Sequence, residues 1–579
     1  MPTDQRDDGL STFSMHAFDT RSSNMFDDLR EERGGAALAP GAPAGAREDL
    51  SSLDPEEAAR RHLQHALTSA AVPALTAPTV GGTATEFISM GAESVPLTRT
   101  RTVKFRQTVG AIPIYGSLVT VELDEDNDLV SIDSALGEPS GVSPEPDITA
   151  DDAVASAAAH PGFHPRLGNV TPELQYYFDR AASQWRLVYL LPDVPVEVDP
   201  DTQDSEDRAA DLEPPRFLDY VVDAHDASVV AVLPRTPSAT ADASTALSAE
   251  HRAIDGFGVE RTFRVCEATG GFVLRDEQRN VETYDFGFGD PSVTEDDLPG
   301  AAIQNPPDWS PEAVSAHANA VAVSDFLNDV LLRNNIDDQG GALVSTINCV
   351  VEADSPGPMQ WVNAFWSPVS RQMVYGQVLV EDGTLRSLSC NLDVVAHEIF
   401  HGVTDVTARL EYANQSGALN ESYSDIFGII ITNLDNPDPR SWDWKLGERL
   451  LPGDVPFRDL EDPTRHDQPA HMDDFVVLPN TQAGDWGGVH VNSGIHNKAA
   501  HLMLTAEDGV GELVLAPQEV SAVLYLALSQ RLSSTSQFSD SRRAVEASAR
   551  TFFRSLPADR LEAKVAAFTG AFDAVGITG

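Results

Sequence analysis

The sequence predicts an α+β fold built from several domains. Three observations carry that expectation. Residues 97–135 alternate apolar and polar side chains with the period of strands, residues 259–305 are β-rich again, and from residue 391 onward the chain reads as mostly helical. At ordinary domain sizes, 579 residues accommodate about three or four domains. A hydrophobic share of 41% suffices for large cores.

The elements follow in order. Residues 1–50 are rich in Asp, Arg and Ser and run into AALAPGAPAGA. Such a composition buries too little apolar surface to order itself, so residues 1–85 are expected to be largely disordered. The exception is a short helix, DPEEAARRHLQHALTSAA, with Asp54 as N-cap and Pro55 at its first position. RTVKFRQTV, IPIYGSLVTVEL and NDLVSIDSAL read as an antiparallel meander. A helix follows at ITADDAVASAAAH, with Thr149 as its cap, then strands at ELQYYFDR and QWRLVYLL, an acidic loop, and the hairpin FLDYVVDAHDASVVAVL. No catalytic constellation occurs up to residue 233. PRTPSATADASTALSAE (234–250) reads as a linker open to proteolytic nicking. Ser310-Pro311 opens a long helix, PEAVSAHANAVAVSDFLNDVLLR, and further strands run to about residue 380.

Charge and cysteine content narrow the functions. The formal net charge is -51, and the only lysines are Lys104, Lys445, Lys498 and Lys564. A surface this acidic repels nucleic acid and anionic membranes, which argues against both as partners. Cys266, Cys349 and Cys390 allow at most one disulfide, or three buried thiols. No apolar run approaches the length of a membrane-spanning helix, and no basic n-region followed by an apolar h-region is visible at the N-terminus.

The chemistry is concentrated in VVAHEIFHGV. An HExxH segment on a helix projects His397 and His401 from one face, close enough to share a tetrahedral Zn²⁺, with Glu398 directed at a water. Two satisfied core histidines would read the same way until a third ligand is found. Glu421 lies twenty residues beyond His401, in GALNESYSDIFG, with Asp425 one helical turn later. Two His and one Glu leave a zinc position open, as catalytic zinc requires, and Asp425 can orient a ligand imidazole. Glu398 is then the general base. In GDWGGVHVNSGIHNKAAH, a protonated His490 held by Asp485 can stabilise an oxyanion, although His496 and His501 lie nearby.

Together with NAFW (363–366), MVYGQ (373–377), LEYANQSGALNESYSDIFG (410–428), FRDLEDP (457–463) and FDAVG (572–576), these segments resemble the thermolysin-like (M4) zinc metalloendopeptidases. The resemblance implies a two-lobed catalytic unit, with a β-rich lobe over 259–390, a mainly α lobe over 391–579 and zinc in the cleft between them. It also implies a propeptide made of a β module over 86–140 and a PepSY-like module over 141–233, joined by a linker over 234–258 that carries the processing site. Carried over by residue, it implies zinc on His397, His401 and Glu421, Glu398 as base, and His490 and Tyr412 as oxyanion donors. Asp425 and Asp485 would orient His397 and His490. Asn363, Ala364 and Arg458 would bind substrate backbone. Leu385, Leu388, Val394 and Phe457 would line an apolar pocket for the residue after the scissile bond. Asp393, Asp443 and Glu448 match calcium ligands of the family, but Thr432 and Lys445 stand where acidic ligands are expected, so at most one Ca²⁺ is expected. The implied protein is a monomeric, self-processing zymogen acting on proteins or peptides, with its own propeptide as inhibitor. Export is the expectation from the family, and an intracellular peptidase or a non-catalytic zinc-binding protein are the alternatives.

Overall fold

The computed structural model describes residues 8–22, 24–26, 28–29, 50–80, 82–160, 163–165, 170–198, 217–235, 248–291, 298–351, 355–367, 370–380, 383–451 and 453–579. The first unit is a seven-stranded antiparallel sheet. Its long strands are β1 (Leu10–His16), β2 (Thr83–Val95), β3 (Thr100–Val109), β4 (Leu118–Leu123) and β5 (Leu129–Gly137), in the spatial order β1-β5-β4-β3-β2. Alternate residues Val103, Phe105, Val119, Val121 and Ile132 share a core with Ala58, Ala59, Leu63 and Ala66 of helix α1 (Pro55–Thr68). Asp54 caps α1 by accepting from Glu56 N at 2.9 Å.

The structure corrects the expectation of disorder before residue 85. β1 pairs with β5 in unbroken register from Leu10↔Gly137 to His16↔Ser131. Met15, Phe26, Leu29 and Leu50 are buried in the same core as α1. The physical reason is that an edge strand takes its backbone hydrogen bonds from a distant partner, so a few apolar anchors suffice where the average composition is polar. The run AALAPGAPAGA lies outside the described residues.

In the second unit, β6 (Glu173–Asp179), β7 (Gln184–Val198), β8 (Phe217–Asp223) and β9 (Val229–Arg235) form a sheet in chain order. Helix α2 (Ala150–Ala158) buries Ala153 and Ala157 against Leu191, Leu218 and Tyr220. Thr149 and Asp152 close a capping box at its start. Residues 199–216, which include the whole acidic loop, and residues 236–247 of the linker lie outside the described residues. The linker is also shorter than 234–258. β10 (Ser248–Ile254) pairs with β11 (Glu260–Ala268) over its whole length, because its alternation of half-buried and exposed side chains suits one face of a hairpin.

A further sheet contains β12 (Val281–Gly289), β13 (Leu343–Cys349), β14 (Trp361–Ser367), β15 (Gln372–Leu379) and β16 (Leu385–Ser387). Its main path runs β12-β13-β15-β14, so β14 lies at an edge. Val281, Leu343 and Met373 of this sheet share one core with Ala316, Val323 and Phe326 of α3 (Pro311–Asp329) and with the C-terminal helices. Those helices are α4 (Leu392–Val406), α5 (Asn414–Thr432), α6 (Asp485–Leu504), α7 (Pro517–Leu526), α8 (Phe538–Phe552) and α9 (Ala558–Ala574). α4 is buried from Asp393 to Asp405, and α5 from Ser416 to Ile431. Phe400 stacks on Phe427 with ring centroids 4.0 Å apart. Gly428 permits this approach, since a Cβ there would lie 2.8 Å from the Asp393 carbonyl oxygen. All three cysteines are free and buried. Among the described residues, no helix is long and apolar enough to cross a membrane.

Candidate metal centre

The centre is built from three helices. On α4, His397 and His401 stand one turn apart, and their Nε2 atoms are 2.9 Å from each other. From α5, Glu421 places Oε2 3.6 Å from His397 Nε2 and Oε1 3.4 Å from His401 Nε2. A tetrahedral zinc with bonds of about 2.0–2.1 Å separates its ligand atoms by about 3.3 Å, so this triangle fits the ion. Among the described residues, these three form the one group of three or more His, Cys, Asp or Glu close enough to hold a metal. The donor set, two imidazoles and a carboxylate, is that of a zinc site with an open position.

The electrostatics suit a cation. Burial opposes ionisation of Glu421, but His490, His401, His397 and Arg458 outweigh it and hold the carboxyl well below its ordinary range. Burial lowers His401 to about 4, so its imidazole is neutral and able to ligate. A second layer orients the rings. His397 Nδ1 lies 2.9 Å from Asp425 Oδ1, and His401 Nδ1 lies 2.8 Å from Asn420 Oδ1. Asp425 also accepts from Arg458 Nη1 at 2.9 Å and from Asn497 Nδ2 at 2.8 Å.

Around the triangle stand the expected reacting groups. Burial raises Glu398 to about 7, despite the opposing pull of His397. The backbone of Trp366, in β14, hydrogen-bonds its carboxyl group. Tyr412 donates its hydroxyl to Glu421 Oε1 and lies 3.1 Å from His490 Nε2. His490 Nδ1 is 2.6 Å from Asp485 Oδ1. Burial alone would lower His490, but Glu421 and Asp485 raise it to about 9. Trp486, Gly487 and Gly488 take φ of 47°, 88° and 81°, so α6 opens with a left-handed turn. Asp485 is folded back by this turn, and its Oδ2 accepts from His490 N at 2.8 Å. His496 and His501 point elsewhere: His496 bonds Ser422 and Ser541, and His501 packs edge-to-face against Trp444.

The remaining predicted residues fall into three groups. Arg458 is buried between Asp425 and Glu421, at 2.9 and 3.3 Å. Asn363 and Ala364 sit at a bulge of edge strand β14, where Asn363 Oδ1 accepts from Ala364 N at 2.8 Å. Of the expected pocket, Leu388 and Val394 are in the core and Phe457 packs on it, whereas Leu385 pairs with Leu379 in the β15–β16 ladder and is not part of that cluster. At the expected calcium position, Lys445 Nζ lies 3.6 Å from Asp443 Oδ1 and 3.5 Å from Glu448 Oε1. Asp393 instead accepts from the backbone N–H groups of Val394 and Gly447, and burial raises it to about 6. The sequence reading missed Asn420, Asn497 and Trp366. Asn420 could have been found, since it immediately precedes Glu421 on the helix. Asn497 and Trp366 had no such signal.

Comparison with known proteins agrees with this geometry. The family description "Thermolysin metallopeptidase, catalytic domain" matches residues 252–405, and "Thermolysin metallopeptidase, alpha-helical domain" matches residues 408–577. Bacillolysin of Brevibacillus brevis is 31% identical over 499 residues, 83% of each chain. Bacillolysin of Bacillus amyloliquefaciens is 34% identical over 57% of this chain, and the match spans 58% of that relative's length. Among solved structures, the precursor of protealysin from Serratia proteamaculans is 28% identical, covering 52% of this chain and 87% of its own, with a TM-score of 0.41. From the paired family matches and a relative this similar over most of both chains, it follows that the chain belongs to the thermolysin metallopeptidase family, with that family's β-rich and α-helical catalytic lobes.

Proposed function

We propose that the protein is a zinc-dependent endopeptidase, made as a zymogen with residues up to about 233 as its propeptide. The observation that carries this reading is the three-ligand triangle of His397, His401 and Glu421 with Glu398, Tyr412 and His490 around it. Zinc held there supplies a Lewis acid that activates water and polarises a peptide carbonyl. Glu398 accepts the water proton and delivers it to the departing amine. The imidazolium of His490 and the Tyr412 hydroxyl donate to the carbonyl oxygen as it gains charge. Asp485 keeps His490 protonated and aimed. The edge position of β14 lets Asn363 and Ala364 pair with an extended substrate backbone, and Arg458 lies ready to bind a substrate carbonyl. Leu388, Val394 and Phe457 favour an apolar side chain after the scissile bond. Glu398 lies between neutral and ionised near pH 7, as a base working at that pH requires. We also read the chain as an exported, monomeric protein, with a domain division near residues 140, 233 and 390 and Lys445 standing in for a calcium. Nucleic acid and membranes are not among the partners of this reading.

The decisive variant is Glu398→Ala. It should retain zinc, measured by metal content, yet lose cleavage within 234–260 and hydrolysis of casein by about 10²–10⁴-fold. A chelator should abolish both in the parent protein. Wild-type rates in Glu398→Ala would refute the assignment.

A further inference from the structure

α7 runs into a π-helical turn, Ala527–Arg531, that ends against the N-terminal sheet. A helix end leaves carbonyl groups without intrahelical partners. Here side chains of the N-terminal unit reach two of them: Lys104 Nζ donates to Ser529 O at 2.6 Å, and Thr120 Oγ1 donates to Gln530 O at 3.2 Å. An ammonium group at this end also complements the helix dipole.

Arg531, the last residue of the turn, has five N–H donors and five acceptors. Nε meets Ser548 Oγ at 3.2 Å, and Nη2 meets Thr551 Oγ1 at 3.4 Å, both on α8. The other three acceptors belong to the N-terminal sheet. Nη2 donates to Glu122 Oε2 at 2.5 Å, and Nη1 donates to Ser131 Oγ at 3.1 Å and to Asp133. Thr551 Oγ1 donates in turn to Glu122 Oε2 at 2.8 Å, and His16 Nε2 lies 2.8 Å from the same hydroxyl. The Arg531 side chain is 4% exposed. Arg550 and Arg554 bond the carbonyls of Phe18 and Thr98 across the same junction. In a chain of net charge -51, this is a cationic face set against a slot with two carboxylates.

We propose that the end of this helix, with Arg531 as anchor, is the docking site on the helical lobe for the N-terminal unit, and that it holds that unit after the linker is cut. The inference rests on the propeptide reading only for its biological meaning. An arginine whose donors are all satisfied in a buried slot contributes fixed geometry as well as charge, and removing one side leaves carboxylates buried without a counter-ion. The junction also lies close to Tyr412. Glu411 N donates to Ser534 O at 2.8 Å, and Phe538 N donates to Gln415 Oε1 at 3.1 Å, so the loop after Arg531 is stitched to the segment that bears Tyr412. On the other side of that segment, Arg180 of the second unit lies 3.5 Å from the buried carboxylate of Glu411.

The test uses the full chain carrying Glu398→Ala, with a specific protease site placed within residues 236–247. After the folded protein is cut, co-elution of the N-terminal fragment and its apparent Kd are measured. With Arg531 present the fragment should co-elute. With Arg531→Met the Kd should rise on the order of a hundredfold. The combination Arg531→Met, Glu122→Gln and Asp133→Asn should recover much of the loss, because no charge is then left unpaired. If Arg531→Met does not fold, Glu122→Gln with Asp133→Asn asks the same question from the other partner and should also weaken binding. An unchanged Kd in the single-sided variants, or immediate release of the fragment from the cut parent, would overturn the proposal. Casein hydrolysis by the protein without Glu398→Ala tests the endopeptidase reading separately, so either idea can fail alone.

Discussion

Replacing Asp425 by Asn tests how His397 is held in place. The carboxylate is fully buried, and Oδ1 sits 2.9 Å from both His397 Nδ1 and Arg458 Nη1. At an effective dielectric constant of about 20, opposite charges at that separation attract by about 6 kcal/mol before desolvation is subtracted. Only part of this is lost, because an amide oxygen still accepts from both groups and Arg458 retains Glu421 at 3.3 Å. The new amide nitrogen, however, faces Asn497 Nδ2, which now donates to Oδ2 at 2.8 Å, so two donors meet. Relief requires Asn497 to turn over, which disturbs the bond from Ser422 Oγ to its Oδ1 at 2.7 Å. We therefore expect zinc affinity to fall about 10–100-fold, or roughly 1.4–2.7 kcal/mol. Competition with a chromophoric chelator measures this directly. An affinity within about threefold of the parent would refute the orienting role of Asp425.

Two further outcomes follow from the geometry. In the proposed mechanism the active form has Glu398 ionised and His490 protonated, so kcat/KM should rise with pH on a limb below about 7 and fall on a limb below about 9, because the positive charge of bound zinc lowers both groups from their metal-free positions; a His490→Gln variant that kept the alkaline limb would show that His490 is not its source. At the expected calcium position, Lys445→Asp removes the ammonium held by Asp443 and Glu448, so the melting temperature of the variant should rise with added calcium by a few degrees more than that of the parent, a shift of about 1 kcal/mol; equal responses would show that Lys445 does not substitute for the ion.

The metal ligands were legible because a helix converts spacing into direction. Residues four apart share a face, so His397 and His401 were placed together by the order of residues alone. Glu421 and Asp425 repeat that spacing on the next helix, and the apolar flanks of VVAHEIFHGV announced its burial. Caps at Asp54, Thr149 and Ser310 were legible for the same local reason. Contacts between distant parts of the chain had no such signal. The strand Leu10–His16 draws its order from β5, more than a hundred residues away, and its own composition reads as disordered. Trp366 reaches Glu398 only because β14 is the edge strand beside α4, and Asn497 meets Asp425 only because α6 crosses α5 at that height. Arg531 gave no local sign at all, since its five acceptors come from three separated stretches of chain. The sequence by itself determined the zinc and the His397–His401–Glu421 cluster that fits it, because that cluster depends on short-range helical geometry. Only the tertiary structure decided that Asn420, Asn497 and Trp366 join it and what holds the N-terminal unit in place, because those depend on packing between segments that no local pattern records.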